Sequence, residues 1–66
     1  MKLTTDKRYV LYYHVFFYEY LVREVYSFNR VFSGSNEFNV IPILYTNSKD
    51  IAFDVKNKLN KEKNDN

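Results

Sequence analysis

The sequence predicts an α+β fold: a long N-terminal amphipathic helix, one β-strand and a short C-terminal helix, with the strand pairing across a homodimer twofold. Three observations lead there. Ten of the thirteen aromatic residues fall within the 24 positions from Tyr9 to Phe32, a stretch with no Gly, no Pro and only four charges. The chain has 66 residues and no cysteine; a domain of this size buries only about 60% of the surface its unfolded chain exposes, and is marginal without disulfides, metals or a partner. Lastly, the pattern leaves one strand alone, and a lone strand has two edges of unpaired backbone groups.

The first element rests on periodicity. On a helical wheel Val10, His14, Phe17, Leu21, Val25, Phe28 and Phe32 form one stripe, flanked by Leu11, Val15, Tyr18 and Val22. Arg8, Tyr12, Glu19, Arg23, Tyr26, Ser27 and Arg30 collect on the opposite side, which is the arrangement of a half-buried helix. The wealth of Val, Tyr and Phe favours sheet and keeps a mostly β alternative open. A hairpin would need a turn, however, and no Gly or Pro precedes Gly34 to mark one. The expected element is a helix over Asp6 to Phe32, continuous or broken near Tyr18 to Tyr20. Thr4 or Thr5 can cap its start and Gly34 its end, and at about 1.5 Å per residue it would approach 40 Å.

After the polar loop Ser33 to Glu37, the near-continuous apolarity of Phe38 to Thr46 predicts a strand covered on both faces. Pro42 offers no N–H, so the edge it shares with Phe38, Val40 and Leu44 is spoiled for a continuous ladder. The other edge is intact. The expected dimer interface is therefore a two-stranded ribbon through Asn39, Ile41, Ile43 and Tyr45, covered by Phe17 and Leu21 of the long helices. Asn47-Ser48 marks a turn, Ser48 is a good N-cap, and Ile51, Ala52, Val55 and Leu59 form the apolar face of a second helix. One interaction domain over residues 1–60 and a polar, disordered tail over 61–66 complete the organisation.

The composition argues against most chemistry. The formal charge of +2 divides unevenly, with five basic and three acidic side chains over residues 1–34 and five of each over 35–66, and neither half is a basic patch. His14 is the only histidine and makes no metal cluster by itself, while Asp50 and Asp54 sit among Lys49, Lys56 and Lys58 as an ordinary solvated face. One glycine does not make a phosphate-binding loop. Ser27, Ser33 and Ser35 have no base motif around them, and Glu19 and Glu24 diverge around a helix. No enzyme, cofactor or metal site is expected. The charge-free run Tyr9 to Tyr18 is about half the length a bilayer span needs, and it leads into Glu19, Arg23 and Glu24 rather than a cleavage site. A cytoplasmic protein with no membrane contact is expected.

What remains is association. Tyr12, Phe16, Tyr20, Arg23, Tyr26 and Arg30 have the composition of a protein-recognition hot spot, either as a surface for a foreign partner or as dimer core. The expectation is a non-enzymatic homodimer that binds a second, host protein. By association alone, such small, cysteine-free, Asn-, Lys- and Tyr-rich chains are common among phage and mobile-element products that bind and block a host protein of replication or defence. The alternative is a dimeric nucleic-acid-binding regulator that stacks bases on the same aromatic and Arg face. Against it, Glu19 and Glu24 sit among those residues, and affinity for nucleic acid is dominated by neutralised phosphates.

Overall fold

The computed structural model describes residues 2–32 and 39–64. Its elements are β1 (Tyr9–His14), β2 (Glu19–Glu24), α1 (Val25–Val31), β3 (Val40–Thr46) and α2 (Lys49–Asn64). The three strands make one antiparallel sheet in the order β2-β1-β3. The long N-terminal helix and the lone strand are thereby corrected: residues 9–24 are a β-hairpin, and within the expected helix only Val25–Val31 is helical.

The turn thought to be missing is built from Val15, Phe16, Phe17 and Tyr18. The Tyr18 N–H donates to the His14 carbonyl at 2.9 Å, and Tyr18 takes a left-handed backbone, φ 55°, where Gly or Asn would be usual. That conformation costs a β-carbon-bearing residue about 1–2 kcal/mol. It is offset by the ladder on either side, where β-branched and aromatic pairs stabilise adjoining strands; Tyr13 and Tyr20, cross-strand partners, hold their rings 4.9 Å apart. Tyr18→Asn should therefore raise stability by about 0.5–1 kcal/mol and the melting temperature by several degrees. Thermal unfolding followed by circular dichroism checks this; a lower melting temperature would show that the Tyr18 ring contributes more than its backbone costs.

β3 finds its partner inside the chain. It lies antiparallel to β1, with Ile41 opposite Tyr13 and Leu44 opposite Leu11, and the Val15 N–H donates to the Asn39 carbonyl at 2.8 Å. Asn39 and Ile41, expected to face a second copy across a twofold, face β1 instead. The ribbon across a homodimer twofold is overturned, because the edge it needed is occupied. Pro42 still leaves its mark: between the pairs Leu11–Leu44 and Tyr12–Pro42 the register shifts and Ile43 is left over, the bulge at which a sheet tolerates proline. The proposed helix stop at Ser33-Gly34-Ser35, and Phe38, lie outside the described residues.

Each face of the sheet carries one helix. Val10 and Tyr12 of β1 and Val40 of β3 meet Val25 and Phe28 of α1 in the main core, with Leu3, Leu21 and Phe32 packed against it. Leu11, of opposite strand parity, is fully buried on the other face, where α2 crosses the strands and buries Ala52. Coverage on both faces explains why β1 reads YVLYYH without alternation. Helix α1 starts directly from β2, its first N–H, on Val25, donating to the Arg8 carbonyl at 2.8 Å. Helix α2 is capped by Ser48, whose Oγ accepts from the Ile51 N–H at 3.2 Å and whose carbonyl accepts from the Ala52 N–H at 3.1 Å. The helix continues to Asn64. No helix among the described residues is long and apolar enough to cross a membrane.

Candidate functional site

The hairpin raises Val15, Phe16, Phe17 and Tyr18 to its tip, and there lies the longest continuous exposed apolar run among the described residues. Phe16, Phe17 and Tyr18 are 67%, 66% and 69% exposed. Burying one such side chain is worth about 1.5–3 kcal/mol, so three in a row forgo a stabilisation that a domain this small would otherwise use. The tip is also held in place: its start is tied to β3 by the Val15–Asn39 bond, its end by the left-handed Tyr18. Strained backbone persists where surrounding structure over-determines it, and it clusters at binding sites.

The tip rests on a histidine. The His14 ring stacks on Phe17, centroids 4.2 Å apart and 24° from parallel, and lies 6.4 Å from both Phe16 and Phe32. Its Nδ1 is buried with no hydrogen-bond partner. Aromatic contacts to the tip and to Phe32 of the core thus hold the His14 ring.

The six residues expected on one partner-binding face are scattered. Tyr12 is in the core, 1% exposed, its ring edge-on to Phe28 at 5.1 Å and to Phe32 at 5.7 Å. Arg23 is spent on the same cluster: its Nε donates to the Tyr12 hydroxyl at 2.9 Å and an Nη to Ser27 Oγ at 3.2 Å. Tyr20 belongs to the face under α2, against Tyr13. Tyr26 is exposed on α1 with the Arg30 guanidinium 5.8 Å from its ring centroid. Phe16 alone of the six stands at the tip. Of the residues expected at a dimer interface, Phe17 joins Phe16 there, Leu21 packs on the core, and Ile41, Ile43 and Tyr45 stay partly exposed along β3. A helical wheel places Phe16 and Phe17 on different faces; only a turn brings Val15 to Tyr18 together, and the missing signal was the turn itself.

The Tyr12–Arg23 bond supports the fold. Tyr12→Phe keeps the ring and removes the hydroxyl that accepts from Arg23 Nε, and should cost about 1–2 kcal/mol. Urea denaturation would register it as a lower midpoint with unchanged slope; an unchanged midpoint would mean that water replaces the hydroxyl at no loss.

Two further recesses are lined by described residues. A cleft of about 200 Å³ is lined by Tyr9, Val22, Arg23, Glu24, Lys49 and Phe53, and a groove of about 340 Å³ by Tyr26, Ser27, Arg30 and Val31. Both are at or below the small end of the range for ligand pockets. Among the described residues no three His, Cys, Asp or Glu side chains come together as a metal site. Comparison of the chain with protein families, curated proteins and solved structures finds no match, so the functional reading stands on this geometry.

Proposed function

We propose that this chain is a non-enzymatic protein-binding module whose contact element is the aromatic hairpin tip, Val15 to Tyr18, inserted into an apolar groove of a second protein. The carrying observation is the exposure of three consecutive aromatic side chains on a short, backbone-anchored turn. Rigid aromatics held by a scaffold provide contact area at low entropic cost. The form of this proposal that the composition favours is a phage or mobile-element product that blocks a host protein by occupying such a groove.

Within the hairpin, the charge distribution supports protein over nucleic acid. The tip carries no formal charge, and the next residue is Glu19. Arg8 lies before the far end of β1, about 20 Å away at 3.3 Å per residue, and pairs with Glu24 at 3.8 Å. Arg23 is turned inward to Tyr12 and Ser27. Stacking platforms for single strands need cations beside the rings.

The test is capture on immobilised protein from nuclease-treated and untreated lysate, followed by titration of the purified captured protein at low and moderate salt. Binding that survives nuclease and changes little with salt is expected. Capture lost with nuclease, or affinity falling steeply with salt, would replace this reading by the nucleic-acid one. Light scattering on the isolated chain identifies the third outcome, in which a second copy covers the tip.

A further inference from the structure

A three-stranded sheet has two outer edges, and outer edges are where further strands add. Strand parity fixes which backbone groups face outward. Because the Val15 N–H reaches Asn39, Tyr13 and Leu11 of the same parity also direct their backbone groups to β3, and Tyr12 and Val10 direct theirs to β2. The partners of Tyr13 and Leu11 in β2 are Tyr20 and Val22, whose N–H and C=O groups therefore point away from the sheet.

At Tyr20 one side chain takes both of these groups. The Tyr20 N–H donates to Asn60 Oδ1 at 2.8 Å, and Asn60 Nδ2 donates to the Tyr20 carbonyl at 3.0 Å. A donor and an acceptor offered side by side to one residue are what a neighbouring strand would present, and a side-chain amide carries the same pair of groups as a peptide bond. On the other side of the sheet, β3 is interrupted by Pro42 and the bulge at Ile43.

We infer that Asn60 acts as a one-residue substitute strand, which docks α2 on the rim of the sheet and closes β2 to strand addition by a second copy of this chain. The registers open to two copies show why this position matters. An antiparallel β2–β2 contact centred on Val22 pairs Tyr20 with Glu24, and one centred on Leu21 pairs Tyr20 with Val22; both require the Tyr20 groups that Asn60 holds. The register centred on Arg23 avoids Tyr20 but sets two arginines opposite each other, and like charges directly opposite are destabilising.

The first readout is amide exchange in the wild-type protein: the Tyr20 amide should exchange about tenfold or more slowly than that of Val22, although both point outward. The second is sedimentation velocity of Asn60→Ala, which removes both amide groups while replacing Asn by a better helix former, and of the near-isosteric Asn60→Asp. Asn60→Ala should lose Tyr20 protection and associate at concentrations where wild type does not, whereas Asn60→Asp, which can still accept from the Tyr20 N–H but no longer donates to its carbonyl, should fall between Asn60→Ala and wild type in both readouts. Asn57→Ala, exposed on the same helix, should change neither readout. Equal exchange at Tyr20 and Val22 in wild type would show that the clamp is not made. Loss of Tyr20 protection in Asn60→Ala with wild-type sedimentation would show that it docks α2 without guarding the edge, and either result overturns the inference.

Discussion

Phe28→Ala should unfold a large share of the protein at room temperature. Phe28 is fully buried, meets Tyr12 edge-on at 5.1 Å and Phe32 at 4.7 Å, and with Val25 joins α1 to the core of Val10, Tyr12 and Val40. Truncating a buried phenylalanine costs about 3–5 kcal/mol in lost transfer energy and residual cavity. At roughly 0.05–0.15 kcal/mol per residue, a chain of this length has about 3–10 kcal/mol in total. Loss of Phe28 removes much of that, and the Tyr12–Arg23 bond loses its packed wall as well. Tyr26→Ala, two positions earlier and 73% exposed, should stay within about 0.5 kcal/mol. Urea denaturation of the pair separates core from surface on one short helix; similar losses for both would mean that α1 does not cover the sheet as described.

The parts of this fold that are legible in the sequence are those with local signals. β3 and α2 fall in segments marked by β-branched residues, by the Asn47-Ser48 turn and by the Ser48 cap. Val10, Val25 and Phe28 are core residues under either reading of the first segment, because a helical stripe and one face of a hairpin followed by a helix both select them. The hairpin was not legible for two physical reasons. β1 is covered on both faces, which erases the alternation by which a strand is recognised. Its turn holds none of the residues that normally signal one, since Tyr18 itself accepts the left-handed backbone. With the turn hidden, Tyr12 and Arg23 looked like a surface pair eleven residues apart on a helix, whereas pairing of Tyr12 with Leu21 and of Val10 with Arg23 sets them side by side on one face. The lone-strand argument was sound in its premise, that β3 needs a partner, and failed because that partner was hidden in the segment read as helix.

Replacing Phe16 by Ser should leave the fold intact and remove most of the binding. Phe16 is two-thirds exposed and, of the tip aromatics, is not the one stacked on His14, so its loss opens no cavity and uncovers no core. If the tip is the anchor of an interface, it belongs to the small group of side chains whose truncation costs 2 kcal/mol or more, and affinity for the purified partner should fall by about thirtyfold. Phe17→Ser should lose a similar factor in affinity together with some stability, because it also strips His14 of its stacked neighbour. Ile51→Ser, an exposed apolar residue on α2, controls for the general effect of removing surface hydrophobicity and should bind as wild type. Calorimetric titration with parallel thermal melts distinguishes these outcomes. A Phe16→Ser, Phe17→Ser double variant that remains folded and binds with wild-type affinity would move the contact surface away from the tip, toward the exposed Ile41, Ile43 and Tyr45 of β3. The tip would then have to be explained as a turn whose aromatics serve only to shield His14, a role that leaves the two-thirds exposure of Phe16 and Tyr18 without a cause.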